Sequence, residues 1–283
     1  MTARPYRSVL YIPGSKERAL EKAKTLPVDA IIFDLEDAVA VDEKTNARML
    51  LAETLKNADY GGRAKIVRVN ALDTRWGHAD VDVLRHVGAD ALLLPKVDSA
   101  EDVQSLAELA PGIAIWAMME TPLGILNAAE IAAHPALEGF VLGTNDLAKD
   151  LNTRFRADRE PLMTSLQLCL LAARAHGVVV VDGVYNAFKD DEGLRAECEQ
   201  GRDMGFDGKT LIHPAQVAIT NDAFAPSETE IDLARRQIAA FEQAEAEGLG
   251  VAVVDGKIVE NLHIVTAKAT LAKADAIAAL EIA

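Results

Sequence analysis

The feature that most constrains the fold of this chain is the regular alternation of short apolar runs with longer amphipathic segments. The segments between the runs carry apolar residues at three- and four-residue intervals, which is typical of helices. This alternation predicts βα units around a parallel sheet. The predicted strands are Ser8–Pro13, Ala30–Leu35, Lys65–Asn70, Ala91–Pro95, Ile113–Met119, Gly139–Gly143, Val178–Val181 and Gly208–Ile212. The predicted helices are Lys16–Leu26, Glu43–Ala58, Ala79–Val87, Ala100–Leu109, Leu123–Ala133, Pro161–His176 and Asp191–Met204.

Eight such strands predict an α/β protein with a closed (β/α)₈ barrel over residues 1–225. Polar residues follow most of the strands, at the face where barrel enzymes carry their sites. A doubly wound open sheet would also alternate, but it has no reason to present eight such strand ends. We therefore favour the barrel.

Residues 226–283 have a different pattern, which predicts a C-terminal helical extension. A long charged helix, Glu228–Glu247, is followed by a short apolar strand-like piece, Val251–Val254, and by an Ala-rich helix from Glu260 onward. The extension exceeds what a barrel needs. It is expected to pack on its own barrel or to reach a neighbouring subunit.

The charge and hydropathy of the chain exclude several classes of function. The 283 residues include 44 acidic and 29 basic side chains, for a formal net charge of −15, so a basic nucleic-acid-binding surface is not expected. No segment approaches the ~20 apolar residues of a membrane span, and none has the pattern of a signal peptide. We expect a cytoplasmic protein that binds neither nucleic acid nor membrane. Cys169 and Cys198 lack metal-binding spacing and are predicted to be buried.

An acidic group ends the second predicted strand. In the stretch IIFDLEDAV, three apolar residues lead into Asp34, Glu36 and Asp37. Carboxylates inside a fold need a metal ion, an Arg or several hydrogen bonds. An acidic surface turn is the alternative, and the stretch alone does not decide between them.

Two further carboxylates follow the consecutive strands five and six. Glu120 ends the run WAMME, and Asp146 lies in GTNDL. Because consecutive strands are neighbours in a barrel, the two side chains could share a Mg²⁺ ion that keeps several waters and takes other oxygens from substrate. The alternatives are a helix N-cap for Asp146 and a salt bridge for Glu120.

Basic side chains at strand ends suit anionic ligands. Arg68, at the end of the third strand, could bind a carboxylate through its planar fork, or pair with Glu36 or Asp37, and both roles can coexist. Lys16 and Arg18 follow a Gly turn that opens a helix, which suits phosphate, although a solvated basic face is the alternative.

Seven motifs resemble, in the same order, those of the citrate lyase β-subunit-like family of Mg²⁺-dependent acyl-CoA lyases. They are RSVLYIPGSKERALEKA, IIFDLEDAV, IVRVN, LLLPKV, METPLGILNA, GTNDLAKDL and GFDGKTLIHPAQ, and they cover essentially the whole chain. The resemblance implies a (β/α)₈ barrel, assembled as a homotrimer or as a hexamer of paired trimers. It also implies an acyl-CoA substrate.

The resemblance also implies roles for individual residues. It places Mg²⁺, with Mn²⁺ as an alternative, on Glu120 and Asp146, and the substrate carboxylate on Arg68. Glu36 and Asp37 would hold Arg68 and the water around the metal, while Asp34 would anchor the loop. The residues implied in substrate and coenzyme A binding are Arg68, Lys16, Arg18, Gly143, Thr144 and Asn145.

The tail departs from the family at its general base. In malyl-CoA and citramalyl-CoA lyases this base is an Asp on a C-terminal segment that closes over the neighbouring subunit. Here Glu260 occupies that place, and the Pro expected after it is absent. A longer side chain moves the carboxylate on the order of an ångström, which can cost ~10²-fold in rate.

The segment VVDGKIVENLH most resembles the thioesterase branch, which hydrolyses (3S)-malyl-CoA to malate and coenzyme A. The sequence therefore predicts a thioesterase in which Glu260 activates water. The alternatives are a malyl-CoA or citramalyl-CoA type carbon–carbon lyase, a barrel acting on phosphoenolpyruvate or pyruvate, and a non-catalytic paralogue that binds acyl-CoA.

Overall fold

The computed structural model describes residues 4–282. The chain divides into two compact units, one from Tyr6 to Phe224 and the other from Ala225 onward. No helix in residues 4–282 combines the length and apolarity that a membrane span requires. Cys169 and Cys198 are buried free thiols, in agreement with their predicted place in the core.

The first unit is a closed barrel of eight parallel strands that pair in chain order, with β8 returning to β1. The predicted (β/α)₈ architecture is thereby confirmed. The strands are β1 (Ser8–Pro13), β2 (Ala30–Asp34), β3 (Ala64–Arg68), β4 (Ala91–Leu94), β5 (Ala114–Met119), β6 (Leu137–Leu142), β7 (Val179–Asp182) and β8 (Gly208–Leu211).

Nine α-helices connect the strands within this described unit, and a tenth follows β8. They are α1 (Glu17–Ala23), α2 (Lys44–Asn57), α3 (Gly77–Leu84), α4 (Ala100–Leu109), α5 (Pro122–Leu126), α6 (Ala128–Ala132), α7 (Thr144–Asp150), α8 (Met163–His176), α9 (Asp191–Met204) and α10 (Val217–Phe224).

One helix prediction was wrong in a way that has a physical cause. The sequence predicted a single helix over Leu123–Ala133, whereas the structure breaks it into α5 and α6 at Asn127, whose ψ is 9°. The Asn127 side chain donates a 2.8 Å hydrogen bond to the Asp98 carbonyl. This tertiary contact fixes a residue that would otherwise continue the helix.

Alternate residues along the strands form two apolar layers, as the two-residue period of a strand requires. Residues such as Val9, Ile32 and Trp116 form one cluster contributed by β1 through β7, and the intervening residues join a larger cluster that includes helical side chains. Gly139 makes room for Trp116, because a Cβ at this glycine would lie 2.3 Å from the indole. The filled layers leave the ends of the strands to carry the polar groups.

The second unit contains α11 (Glu228–Ala246), a hairpin of β9 (Ala252–Val254) and β10 (Lys257–Val259), and α12 (Asn261–Ile282). The hairpin turn places Asp255 and Gly256 at positive φ, and Arg236 donates to both Asp255 oxygens at 2.8 and 2.9 Å. The sequence analysis did not predict β10, which is a strand of three residues whose first two side chains are exposed.

Candidate active site

A pocket of about 300 Å³ opens at the C-terminal ends of the barrel strands. Its lining combines carboxylates and one Arg with a few apolar side chains. The lining residues are Tyr11, Asp34, Asp37, Ala38, Arg68, Met118, Glu120, Leu142, Gly143, Thr144, Asn145, Asp146, Val184 and Ile212. The structure therefore places most of the predicted site residues of the barrel around one cavity.

Arg68 is fixed by a bidentate ion pair with Asp34. The two residues end neighbouring strands and lie opposite each other in the β2–β3 register. Arg68 Nε donates to Asp34 Oδ1 at 2.8 Å and Nη2 donates to Oδ2 at 2.6 Å. Burial works against the charge of Arg68, but Asp34 keeps its pKa well above the usual value. Sequence reasoning had assigned Arg68 only Glu36 and Asp37 as partners.

Asp34 also organises the acidic loop that follows β2. Its carboxylate accepts hydrogen bonds from the backbone N–H groups of Glu36 at 2.8 Å and Ala38 at 3.1 Å. The loop-anchoring role expected for Asp34 is thus visible in the structure, together with the unpredicted pairing to Arg68.

Glu36 and Asp37 also approach Arg68. Glu36 Oε2 lies 3.1 Å and Asp37 Oδ2 lies 3.6 Å from Arg68 Nη1. Burial raises the pKa of Glu36, although the Arg68 charge opposes that rise. Asp37 is largely exposed and faces the pocket. The three acidic residues of the stretch IIFDLEDAV therefore surround the guanidinium.

Glu120 is a buried carboxylate without an ion pair among the described residues. It is 2% exposed, and its Oε1 accepts a 2.9 Å hydrogen bond from the Lys96 backbone N–H. Burial raises the pKa of Glu120 to about 7, although the Lys96 N–H and Arg68 oppose that rise. A Cβ at Gly143 would lie 2.6 Å from Glu120 Oε2, so the glycine keeps space beside this oxygen.

Asp146 lies in the first turn of α7, directly after β6, and also faces the pocket. It is the third residue of α7, whose N-cap is Gly143, so the alternative role of Asp146 as an N-cap does not hold. Its carboxylate forms no hydrogen bond or ion pair with residues 4–282, and its charge contributes to the raised pKa of Glu120. The two predicted metal ligands therefore line the same cavity.

The charges around the pocket fit a divalent cation. Five carboxylates, Asp34, Glu36, Asp37, Glu120 and Asp146, meet two cations in the described chain, Arg68 and Lys96. No group of three or more His, Cys, Asp or Glu side chains in that part of the chain forms a metal site by itself. Two carboxylates, with other oxygens from water and substrate, are the kind of ligand set that Mg²⁺ accepts.

The sequence analysis assigned no role to Lys96, which lies in the motif LLLPKV. It follows β4 with φ of 53°, its backbone N–H binds Glu120, and its Nζ lies 3.4 Å from Glu36 Oε1. Tyr11 was missed as well: its ring lies 5.1 Å from the Arg68 guanidinium carbon, and its hydroxyl contacts Met118 Sδ at 3.4 Å. The alternation of side chains along β1 could have identified Tyr11, because it places this residue on the inward face of the strand.

A buried network supports the acidic loop from behind. Lys44 Nζ donates to the carbonyl oxygens of Leu35 at 3.0 Å and Glu36 at 2.8 Å, and to Asn70 Oδ1 at 2.6 Å. Asn70 donates to Asp80, which also accepts from Arg48 Nε at 2.6 Å. These contacts fix the backbone that carries Glu36.

The predicted substrate-binding residues fall in two places. Thr144 and Asn145 line the pocket, and Asn145 exchanges hydrogen bonds of 3.2 and 2.8 Å with Asn186. Lys16 and Arg18 are exposed at the start of α1, and their side chains form no hydrogen bond or ion pair with the described residues. Neither lines the pocket, so their predicted contact with coenzyme A phosphates stays a prediction.

Glu260 lies in the second unit, between β10 and α12. Its side chain is exposed, and its backbone N–H donates a 3.0 Å hydrogen bond to His263 Nδ1. Its predicted role as a base stays a prediction.

Comparison with known proteins gives consistent matches over the whole chain. Residues 7–214 match the family model described as HpcH/HpaI aldolase/citrate lyase, and residues 159–278 match one described as a C–C bond lyase of the TIM-barrel fold. A (3S)-malyl-CoA thioesterase of Cereibacter sphaeroides (strain ATCC 17025) is 71% identical over 277 residues, covering 98% of this chain and 97% of that protein.

More distant relatives include citrate lyase subunit beta of Escherichia coli K12, which is 37% identical, with 96% of this chain and 94% of that protein covered. Among solved structures, the protein CitE from Mycobacterium tuberculosis in complex with magnesium, acetoacetate and coenzyme A has a TM-score of 0.83 and 32% identity. That match covers 97% of this chain and 100% of the other.

Proposed function

We infer the function from one premise: the chain belongs to the HpcH/HpaI aldolase/citrate lyase family. Within this family we propose that it is a Mg²⁺-dependent acyl-CoA enzyme that hydrolyses (3S)-malyl-CoA to malate and coenzyme A. The observation that carries the proposal is the pairing of Glu120 and Asp146, two carboxylates free of ion pairs in the described chain, beside the buried guanidinium of Arg68. The high identity to thioesterases supports the choice of reaction.

In this proposal each pocket residue has a defined task. Glu120 and Asp146 hold Mg²⁺, which supplies positive charge for the oxygens of a 2-hydroxy acid. Arg68 binds the substrate carboxylate, and Asp34 holds the guanidinium in place through two hydrogen bonds. The preorganised Arg fixes the acyl group so that its thioester carbonyl is presented in one orientation.

We propose that Glu260 accepts a proton from the water that attacks the thioester carbonyl. Water adds to the carbonyl carbon, the carbon–sulfur bond breaks, and the coenzyme A sulfur leaves and is protonated. The support is the place of Glu260 in the tail motif and the exposure of its side chain. We expect Lys16 and Arg18 to contact the coenzyme A phosphates.

A carbon–carbon lyase is the second candidate, because the family contains such enzymes and the same pocket would bind the same substrate. In that reaction the base removes the proton of the substrate hydroxyl, and acetyl-CoA and glyoxylate separate. Glu260 in place of Asp favours hydrolysis in our proposal, because a longer side chain changes the position of the base.

The trimeric or hexameric assembly and the cytoplasmic location stay predictions.

The test is to incubate the protein with Mg²⁺ and (3S)-malyl-CoA and to follow free thiol and glyoxylate separately. Thiol without glyoxylate is the expected result, whereas glyoxylate without thiol would establish the lyase. If neither thiol nor glyoxylate appeared, the result would contradict both candidates. A Glu260→Gln variant that kept full hydrolysis would exclude the proposed role of this residue.

A further inference from the structure

Lys96 occupies a backbone conformation that a lysine rarely adopts. Its φ of 53° lies in the left-handed region, where a side chain with a Cβ is strained. Such strain persists only where the surrounding structure imposes it, and it gathers at functional sites. Here the conformation directs the Lys96 backbone N–H at Glu120 Oε1, 2.9 Å away. The strained residue therefore contacts a proposed metal ligand directly.

The fold places Lys96 between the strand that ends at Arg68 and the strand that leads to Glu120. It follows β4, which lies between β3, which ends at Arg68, and β5, which precedes Glu120. From this position its Nζ lies 3.4 Å from Glu36 Oε1, while the other oxygen of Glu36 lies 3.1 Å from Arg68 Nη1. Glu36 is thus held between two cations.

The ammonium group of Lys96 remains accessible to solvent despite its contact with Glu36. The Lys96 side chain is 51% exposed, and Glu36 is its ion-pair partner in the described part of the chain. Arg68, in contrast, is surrounded by Asp34, Glu36 and Asp37. An anionic substrate that approaches this guanidinium also meets three carboxylates, and like charges at short distance repel.

We propose that Lys96 is a substrate-positioning residue. Its backbone N–H orients Glu120, and its ammonium group holds Glu36 and offsets the carboxylate charge, so that the anionic end of the substrate reaches Arg68. This inference deepens the proposed function and rests on it for the identity of the substrate. The two tasks are separable, because a glycine at this position keeps the N–H and tolerates the positive φ while it removes the ammonium.

The test compares Lys96→Gly, Lys96→Gln and Lys96→Arg. We expect Lys96→Gly to keep the wild-type melting temperature or exceed it, and to keep the Mg²⁺ concentration that half-saturates thermal stabilisation within about twofold. Its KM for (3S)-malyl-CoA should rise about tenfold with a smaller change in kcat, as expected for a lost charge interaction in a partly exposed site. Lys96→Gln should share the rise in KM, and Lys96→Arg should reverse most of it.

Two control variants separate the backbone from the charge. Asn152→Gly changes a second residue at positive φ, and Lys149→Gln removes an exposed lysine paired at 3.7 Å with Asp150. Neither residue lines the pocket, so both variants should keep the wild-type KM. A tenfold effect in either control would overturn the assignment to Lys96.

A readout without turnover keeps this inference distinct from the proposed function. Calorimetric binding of L-malate to the Mg²⁺-loaded protein should weaken about tenfold in Lys96→Gly. If wild type neither hydrolyses nor splits malyl-CoA, the proposed function fails, whereas this binding comparison still tests Lys96. Unchanged malate affinity and KM in Lys96→Gly would overturn the inference, and so would a loss of Mg²⁺ affinity that accounts for the whole effect.

Discussion

Two clusters of buried charge lie in the barrel unit, and they differ in whether their charges balance. The β7–β8 cluster consists of Arg159, Asp182, Glu197 and Lys209. Lys209 Nζ donates to Glu197 at 2.6 Å and to Asp182 at 3.2 Å, and Arg159 Nη1 donates to both Asp182 oxygens at 2.8 and 2.6 Å. Two cations thus meet two carboxylates, and Lys209 and Asp182 are fully buried.

The charges of the pocket cluster do not balance, because it contains five carboxylates and two cations in the described chain. The two clusters also shift carboxyl pKa values in opposite directions. Burial alone would raise the pKa of Asp182, but Lys209 and Arg159 hold it below the usual value. Burial raises the pKa of Glu120 to about 7. The β7–β8 cluster therefore balances its charges within the protein, whereas the pocket cluster has more carboxylates than cations among the described residues.

The largest expected effect is a loss of stability when the β7–β8 cluster is broken. Lys209→Met leaves Arg159 as the one cation of this cluster, 2.6 Å from Asp182 and 3.8 Å from Glu197. One cation then faces two largely buried carboxylates, so we expect the free energy of unfolding to fall by about 3–5 kcal/mol, as for other broken buried pairs. Denaturant unfolding measures this loss. The double variant with Glu197→Gln restores the charge balance and should recover part of it. A stable Lys209→Met that had lost Mg²⁺ binding would instead assign this cluster to the active site.

Loss of a proposed metal ligand should be the next largest effect. Glu120→Ala removes a carboxylate that forms no ion pair within the described chain and is a proposed metal ligand, so activity should fall by more than the ~100-fold that marks the upper range for supporting residues. Because Glu120 has no ion pair to lose, the metal-free protein should keep its fold. Mg²⁺-dependent activity and the melting temperature without metal are the measurements. Activity close to wild type would remove Glu120 from the metal site.

Smaller losses are expected from the carboxylates that surround Arg68. Glu36→Ala or Asp37→Ala should weaken activity or Mg²⁺ affinity by ~10–100-fold, because in our proposal these side chains orient Arg68 and water and do not bind the ion themselves. Titration of activity with Mg²⁺ gives both quantities. If these variants lost more than Glu120→Ala, the metal would belong to the acidic loop and not to Glu120 and Asp146.

The smallest effect is a pH dependence of metal binding. In the metal-free protein the pKa of Glu120 is raised above its ordinary value of 4.5 to about 7, so the folded state binds the extra proton, and the free energy of unfolding falls as pH rises between these two values. In our proposal Mg²⁺ binds Glu120 and must displace this proton, so its affinity should be about tenfold higher at pH 8 than at pH 6. Thermal shifts at graded Mg²⁺ concentrations measure the change. An affinity independent of pH would contradict it.

The sequence by itself determined the barrel and much of the pocket. Apolar runs that end in polar residues identify buried strands and their ends, because a strand inside a barrel cannot carry an unpaired charge along its length. The strand positions of Arg68, Glu120 and Asp146 followed from this pattern, and the neighbouring order of the strands brought them together.

Only the tertiary structure decided which groups pair. Asp34 binds Arg68 because the β2–β3 register places the two residues opposite each other, and local sequence does not encode that register. The same holds for Lys96, whose backbone N–H at positive φ donates to Glu120, 24 positions away in the chain. It also holds for the helix break at Asn127, whose side chain donates to the Asp98 carbonyl. Local patterns report burial and periodicity, whereas strain and ion pairing depend on partners that are distant in sequence.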